Sequence, residues 1–265
     1  MLDFQNDAYN AIKKSIDKLI ATIPSAAAYE AAKGDVLADC DPYVRFLMQA
    51  TSASAETVRG ALRELSSDTE LFAMLDDGLQ ALAGYSRQGV KTGEIRIHAH
   101  SVYAVARIVK PAKMVETGVA NGKSSALILR ALERNGSGRL YSIDLPTMQG
   151  EAGECDDGLV PTGRTPGWLV PPSLRARWDL RLGDARELLP ALNAELGPID
   201  VFFHDSLHTY PHMTFELSLA KGWVRPGGVI LCDDTQSNNA FAEASAGLNP
   251  AVFGTFGIFQ LPPHA

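Results

Sequence analysis

The pattern of hydrophobic residues changes near residue 95. Before that point, apolar residues recur at spacings of three and four, which is typical of amphipathic helices. Three helices are predicted, with apolar faces running from Ala8 to Ile23, from Val58 to Leu65 and from Leu71 to Leu82. Ser67 and Glu70 have the spacing of a capping box and are expected to begin the third helix. The pattern therefore predicts a helical region over residues 1–95.

After residue 95, short β-branched runs alternate with helical ones, which is typical of βαβ units and a parallel sheet. Strands are predicted at 112–116, 140–143, 179–182, 199–204 and 228–232, helices at 123–134, 185–194 and 211–221, and an edge strand within 252–261. The predicted fold class is α/β, a Rossmann-like, doubly wound, mostly parallel sheet with an N-terminal helical appendage. The predicted boundary separates residues 1–95 from a domain over 96–265.

One connection in this region is unusually long. Residues 145–172 are rich in Gly and Pro, and the segment exceeds the usual length of a strand-to-helix loop. It begins at the sheet edge where ligands bind in this fold class. We therefore expect a functional lid or a mobile loop.

Composition narrows the function. The 265 residues include 24 basic and 31 acidic side chains, for a net charge of −7. This balance argues against a nucleic-acid backbone or an anionic membrane as the main partner. No apolar run is long enough to span a membrane, and the first ten residues lack the features of a secretion signal. The three cysteines are far apart, which favours a reducing, cytoplasmic location.

Polar residues follow the predicted strands at the ligand-binding edge. Gly118 and Gly122 form G-x-x-x-G after the first strand, in contrast to the G-x-G-x-x-G turn that binds a dinucleotide. Asp144 ends the second strand, where a carboxylate can accept hydrogen bonds from ribose hydroxyls. Asp184, after the third strand, either contacts an adenine amino group or caps the helix that begins at Ala185. Acidic residues without a phosphate-binding cation favour a positively charged adenosine derivative.

Five segments carry a family resemblance: ETGVANGKSS, YSID, LGDA, FFHDSLHTY and GGVILCDD. In this order they resemble the motif series of class I S-adenosylmethionine-dependent methyltransferases. The last two are most similar to those of the divalent-metal-dependent O-methyltransferases, which include the catechol, caffeoyl-CoA and macrolide-sugar enzymes. The resemblance covers about residues 95–260. It implies a seven-stranded sheet with a terminal antiparallel strand and S-adenosylmethionine as cofactor, bound by Glu116, Gly118, Gly122, Ser124, Asp144, Asp184 and Ala185.

The same resemblance implies a metal site at Asp205, Asp233 and Asp234. Three carboxylates close together repel one another unless a cation intervenes, which favours Mg²⁺ or a similar hard divalent ion. Consecutive side chains alternate faces on a regular strand. Asp233 and Asp234 can therefore share an ion only if the strand has already ended. Alternatively, Asp233 caps a helix and Asp234 lies in solvent.

His208 follows Asp205 by three residues, and these two are the predicted catalytic residues. The catechol and caffeoyl-CoA enzymes have a basic Lys here, so His preserves the role of proton acceptor. An alternative places His204, His208 and His212 together in a transition-metal site. His98 and His100 are expected to be structural, with substrate contact as the alternative for both.

The sequence therefore predicts methyl transfer from S-adenosylmethionine to a hydroxyl of a small molecule, assisted by Mg²⁺. One alternative is a metal-independent methyltransferase that acts on an amine or an acidic hydroxyl. Another is a non-catalytic nucleoside-binding protein. Residues 1–95 are expected to cover the substrate, form a homodimer contact or act as a scaffold. No nucleic-acid or membrane partner is expected for the protein.

Overall fold

The computed structural model describes residues 2–23, 25–86, 97–148, 159–161 and 163–263. Its α-helices are α1 (Leu2–Thr22), α2 (Ala26–Asp39), α3 (Asp41–Thr51), α4 (Ala55–Ser66), α5 (Thr69–Ser86), α6 (His98–Val109), α7 (Lys123–Asn135), α8 (Ala185–Leu196), α9 (Tyr210–Trp223) and α10 (Ala240–Ala244). Its strands are β1 (Lys113–Thr117), β2 (Arg139–Asp144), β3 (Thr147–Met148), β4 (Leu159–Val160), β5 (Trp178–Leu182), β6 (Ile199–His204), β7 (Val224–Cys232), β8 (Ala251–Phe253) and β9 (Phe256–Gln260). A 3₁₀ helix covers Pro172–Arg177.

The strands form a seven-stranded, mostly parallel sheet in the order β5-β2-β1-β6-β7-β9-β8, which confirms the predicted fold class. The first five strands in this order are parallel to one another. Strand β9 is antiparallel to both of its neighbours, β7 and β8. The single edge strand expected within 252–261 is a two-stranded hairpin, because the chain reverses at Gly254. The parallel strands bring Thr117, Asp144 and His204 to one edge of the sheet.

The helices α1 to α5 share a hydrophobic core with the rest of the chain. Leu37, Leu62, Leu129 and Phe253 are buried in one continuous cluster. Residues 87–96 lie outside the described part of the chain, so the boundary at residue 95 stays a prediction. None of the described helices has the length and apolar character needed to cross a membrane.

The predicted capping box at the start of α5 is wrong. Asp68 is the cap, since its Oδ1 accepts the backbone N–H of Leu71 at 3.0 Å. Ser67 instead donates to the carbonyl of Glu64, and Glu70 forms an ion pair with Arg130. Arg130 also forms an ion pair with Asp68 at 2.7 Å, which connects the N-terminal helices to α7. Because α5 begins at Thr69, Asp68 and not Ser67 occupies the position directly before the helix.

Part of the long segment 145–172 packs against the first strand-to-helix turn. The N–H of Gly167 donates to the carbonyl of Ala120 at 2.8 Å, and the N–H of Leu169 donates to that of Asn121 at 2.9 Å. Leu169 also contacts Gly78 of α5. Residues 149–158 and 162 lie outside the described residues, so the lid prediction is untested there, whereas residues 167–170 are held in place.

Candidate active site at the carboxyl edge of the sheet

The turn between β1 and α7 requires glycine because the chain's own backbone crowds it. Gly118 and Gly122 have φ angles of +82° and +86°. A Cβ atom on Gly118 would overlap the carbonyl oxygen of Asp205, and one on Gly122 would lie 2.6 Å from Cα of Gly167. The two glycines therefore let neighbouring loops close over the turn. This is a reason for their presence that the sequence pattern did not reveal.

Asp144 presents an acceptor atom without a partner. Its side chain ends β2, and Oδ1 accepts backbone hydrogen bonds from Val119 at 2.8 Å and Ala120 at 3.4 Å. Oδ2 is buried and has no hydrogen-bond partner in the described structure. Burial raises the pKa of this carboxyl, although the two N–H groups oppose the shift. A buried carboxylate oxygen without a donor is costly, which makes Oδ2 a candidate acceptor for a ligand hydroxyl.

Glu116 is buried at the end of β1, and its predicted contact with a cofactor stays a prediction. Its side chain has no solvent exposure, and Oε2 accepts from the hydroxyls of Ser125 at 2.7 Å and Ser142 at 2.8 Å. Trp178 donates to the same Ser142 hydroxyl. Burial raises the pKa of Glu116 to about 7, despite the two hydroxyl donors. Through Oε2 the carboxyl group connects β1, β2, β5 and α7, whereas Oε1 is buried and has no hydrogen-bond partner among the described residues.

The remaining predicted cofactor residues lie at helix starts. Asp184 caps α8, since its Oδ1 accepts the N–H of Arg186 at 2.8 Å. Ala185 is buried against the core of the sheet. Ser124 is buried in the first turn of α7. The capping role of Asp184 is thus observed, and contacts of these three residues with a cofactor stay predictions.

Asp205 and Asp233 come together with a histidine from α6. Ligand atoms of His98, Asp205 and Asp233 all lie within 4.8 Å of one another. His98 Nδ1 is 3.4 Å from Asp233 Oδ2, and the His98 side chain is nearly buried. The histidine was expected to be structural, so the sequence did not identify it as part of this group. The sequence indicated only that His98 lies at the start of the helix before β1.

Asp234 does not join that group in the structure, contrary to the predicted metal triad. Its φ angle is +50°, so the extended chain has ended there, and its Oδ2 lies 3.3 Å from Nδ1 of His208. Asp233 and Asp234 therefore face different histidines. The strand ends before Asp234, as a shared ion would require. However, the backbone turns at this residue and directs its carboxylate toward His208.

His208 has one nitrogen engaged and one without a partner. Nδ1 faces Asp234, whereas Nε2 is buried and has no hydrogen-bond partner among the described residues. Asn238 donates to the backbone carbonyl of His208 at 3.0 Å and fixes its position. Burial, followed by the influence of His204, lowers the pKa of the His208 imidazole to about 4, although Asp234 opposes the shift. The ring is therefore neutral at pH 7, and protonation on Nδ1 leaves Nε2 as a proton acceptor.

A buried carboxylate on α9 engages the two other histidines of the segment. Glu216 accepts hydrogen bonds from His204 Nδ1 at 2.6 Å and His212 Nε2 at 2.8 Å. The hydroxyls of Thr117 and Ser206 donate to it at 2.6 and 2.9 Å. Burial alone would raise the pKa of Glu216, but the charge of His204 and the hydrogen bonds from His204, His212 and Thr117 hold it well below its usual range. His204 and His212 therefore bind this carboxylate, in place of the transition-metal site that was the alternative for the three histidines. Glu216 was not among the residues predicted from the sequence.

One protein-family model matches the part of the chain that carries most of these residues. Residues 115–235 match the family model described as a methyltransferase domain. This segment of the chain is therefore a methyltransferase domain. Its match begins in β1 and ends just after Asp234, so the methyltransferase domain model includes Asp144, Asp205 and His208, whereas His98 precedes it. No curated protein sequence matches the chain.

Solved structures share the methyltransferase fold. The O-methyltransferase TomG from Streptomyces achromogenes is 20% identical, with a TM-score of 0.51 over 71% of this chain and 91% of that one. A Klebsiella pneumoniae protein classed as an O-methyltransferase is 18% identical, with a TM-score of 0.50 over 74% of this chain and 91% of its own. At this identity the likeness supports the fold.

Proposed function

We propose that this methyltransferase transfers a methyl group from S-adenosylmethionine to a hydroxyl of a small molecule. The observation that carries the proposal is the neutral His208, whose buried Nε2 has no partner among the described residues. It lies at the same sheet edge as the unpartnered Oδ2 of Asp144. The structural relative TomG is an O-methyltransferase in complex with S-adenosylmethionine, which supports both the cofactor and an oxygen acceptor.

The residues at the end of β2 fit the cofactor. Asp144 Oδ1 is already occupied by two backbone N–H groups, which fix the orientation of the carboxylate. Oδ2 is then positioned to accept a hydrogen bond from a ribose hydroxyl. Bound S-adenosylmethionine supplies a methyl group on a positively charged sulfonium, so that transfer to a hydroxyl oxygen releases the thioether and one proton.

His208 accepts that proton on Nε2. Its Nδ1 lies 3.3 Å from Asp234 Oδ2, and this carboxylate stabilises the imidazolium that forms. Asn238 holds the backbone of the same residue. The pair His208–Asp234 thus acts as an oriented base, and a hydroxyl proton is the simplest one for it to remove.

Asp205 and Asp233 fit a divalent cation, because their carboxylates converge at the same edge of the sheet. An ion such as Mg²⁺, held by the two aspartates, would lower the pKa of the acceptor hydroxyl and orient it. A backbone hydrogen bond fixes the position of Asp205, since its N–H donates to the carbonyl of Thr117 at 2.9 Å.

Two measurements test the proposal. Calorimetry should show that the protein binds S-adenosylmethionine, and Asp144→Asn should weaken this binding roughly 10- to 100-fold. Asp179→Asn, a matched change on β5 whose partner is Arg181, should leave binding unchanged. Mass spectrometry and NMR of products from a panel of phenols, catechols and sugars should then locate the new methyl group on oxygen.

Three results would overturn the proposal or its parts. Preferential binding of NAD would exclude the cofactor, and methylation on nitrogen would exclude the hydroxyl acceptor. Full activity in excess EDTA would leave His208 as the base without a metal ion.

A further inference from the structure

We infer that His98 is a metal ligand and forms, with Asp205 and Asp233, a mixed nitrogen and oxygen site that selects a first-row transition ion over Mg²⁺. The inference rests on the proposed function, because the ion would lie beside the proposed acceptor site. It differs from the sequence-based expectation of an all-aspartate site in both the third ligand and the identity of the ion.

The distances fit a single ion. The three ligand atoms lie within 4.8 Å of one another, and His98 Nδ1 is 3.4 Å from Asp233 Oδ2. Ligands at about 2.0–2.2 Å from a common ion are separated from each other by roughly 3–4 Å. Only small side-chain movements would therefore bring all three atoms into contact with one ion.

Each ligand is carried by a fixed part of the fold. Asp205 and Asp233 immediately follow β6 and β7, and the N–H of Asp233 donates to the carbonyl of His204 at 2.9 Å. His98 is the first residue of α6 and is only 8% exposed. The hydroxyl of Thr255 donates to Asp233 Oδ1 at 3.4 Å, on the carboxylate oxygen opposite His98. Such outer contacts orient a ligating carboxylate and leave its other oxygen for the ion.

The donor set determines the class of ion. Mg²⁺ prefers oxygen ligands, whereas an imidazole nitrogen suits ions such as Zn²⁺, Fe²⁺ and Co²⁺, and Mn²⁺ accepts both kinds of donor. Two carboxylates and one neutral imidazole neutralise a divalent ion while supplying one nitrogen. Asp234, which would complete an oxygen-only site, instead faces His208.

His98 lies outside the segment that matches the methyltransferase domain model, which begins at residue 115. The nitrogen ligand would therefore come from the helix that precedes β1. A simpler role for His98 is a hydrogen bond to Asp233 without an ion, and the experiment below separates the two.

The test measures metal binding by the full chain without substrate. Calorimetry with Mn²⁺, Co²⁺ and Mg²⁺ should show binding of the first two at least tenfold tighter than binding of Mg²⁺. Pulsed EPR of bound Mn²⁺ should detect a directly bound nitrogen. His98→Gln keeps a side-chain donor for Asp233 but removes the imidazole, so it should abolish the nitrogen signal and weaken Co²⁺ binding about 10- to 100-fold. Asp234→Asn should change Co²⁺ affinity less than twofold.

Circular dichroism and S-adenosylmethionine binding of both variants check that the fold is intact, with His98→Asn as a second variant if His98→Gln does not fold. The inference is wrong if the wild-type chain binds no ion, if the nitrogen signal is absent or survives His98→Gln, or if Asp234→Asn is the variant that loses the ion. If the wild-type chain binds the ion as expected but transfers no methyl group, only the proposed function is contradicted.

Discussion

Glu216 and His204 form a 2.6 Å hydrogen bond between two side chains that have no solvent exposure. The same carboxylate accepts from Ser206, so it holds the residues on both sides of Asp205. It also accepts from Thr117, whose carbonyl receives the N–H of Asp205. Glu216 therefore fixes the residues on both sides of Asp205.

Replacing this carboxylate should destabilise the protein. Glu216→Gln removes the charge and places an amide NH₂ against existing donors, so the free energy of unfolding should fall by roughly 3 kcal/mol. Glu243→Gln is the control, because the exposed Glu243 accepts only from the exposed Tyr210 and should change stability by less than about 0.5 kcal/mol. Urea unfolding at pH 7 measures both, and similar losses in the two variants would contradict the role of Glu216.

The effect of Glu216 should also depend on pH. Because the folded pKa of Glu216 is depressed, its stabilisation is present above the unfolded pKa near 4.5 and is lost as the pH falls below it. The difference in unfolding free energy between wild type and Glu216→Gln should therefore shrink in acid. A difference that stays constant from pH 7 to pH 3 would show that the charge is unimportant.

Glu116 should have the opposite pH dependence. Its folded pKa of about 7 exceeds its unfolded value of 4.5, so its contribution is fully present below pH 4.5 and is lost as the pH rises through 7. Glu116→Gln does not ionise and so avoids this loss. Relative to wild type, its free energy of unfolding should increase from pH 5 to pH 8 by on the order of 3 kcal/mol. Denaturant unfolding at both pH values measures the change. Glu187→Gln, an exposed change on α8, should show no such trend.

The proposed base predicts a specific pH profile. His208→Ala should lower kcat by about 10²–10⁴ and leave S-adenosylmethionine binding unchanged, because the ring moves a proton and does not hold the cofactor. Since the pKa of His208 is lowered to about 4, its protonation should reduce the wild-type rate only as the pH approaches that value. Steady-state rates from pH 4.5 to 8 provide the check. A decline centred near pH 6.5 would indicate an unperturbed histidine.

The turn after β1 gives a matched test of backbone contact. Gly122 and Gly136 both have positive φ angles, +86° and +69°, but only Gly122 has a neighbour within 4 Å of its missing Cβ. Gly136→Ala should cost about 1 kcal/mol from backbone strain, and Gly122→Ala roughly 3 kcal/mol because Gly167 must also move. Thermal unfolding compares them, and equal costs would mean that the contact with Gly167 contributes nothing.

The sequence by itself determined where most elements of the methyltransferase domain lie. The sequence predicted β6 at 199–204 and α7 at 123–134, because a strand buried on both faces has a short apolar run, whereas a helix has a longer segment with apolar residues three to four apart. It also placed Asp144 and Asp205 at the same edge, since parallel strands end together. In the N-terminal region the sequence predicted three helices and the structure describes five, partly because the buried face of α2 includes Glu30, Lys33 and Gly34, which a hydrophobic pattern does not mark.

Only the tertiary structure decided which side chains meet at that edge. Glu116 lies within the core, Asp234 faces His208, and His98 approaches from α6 to reach Asp233. Each outcome depends on the direction of one side chain or on one positive φ angle, and on partners as distant as residues 98 and 233. Local patterns of burial contain no information about such directions, because a carboxylate one position along the chain can turn to the opposite side once the strand has ended.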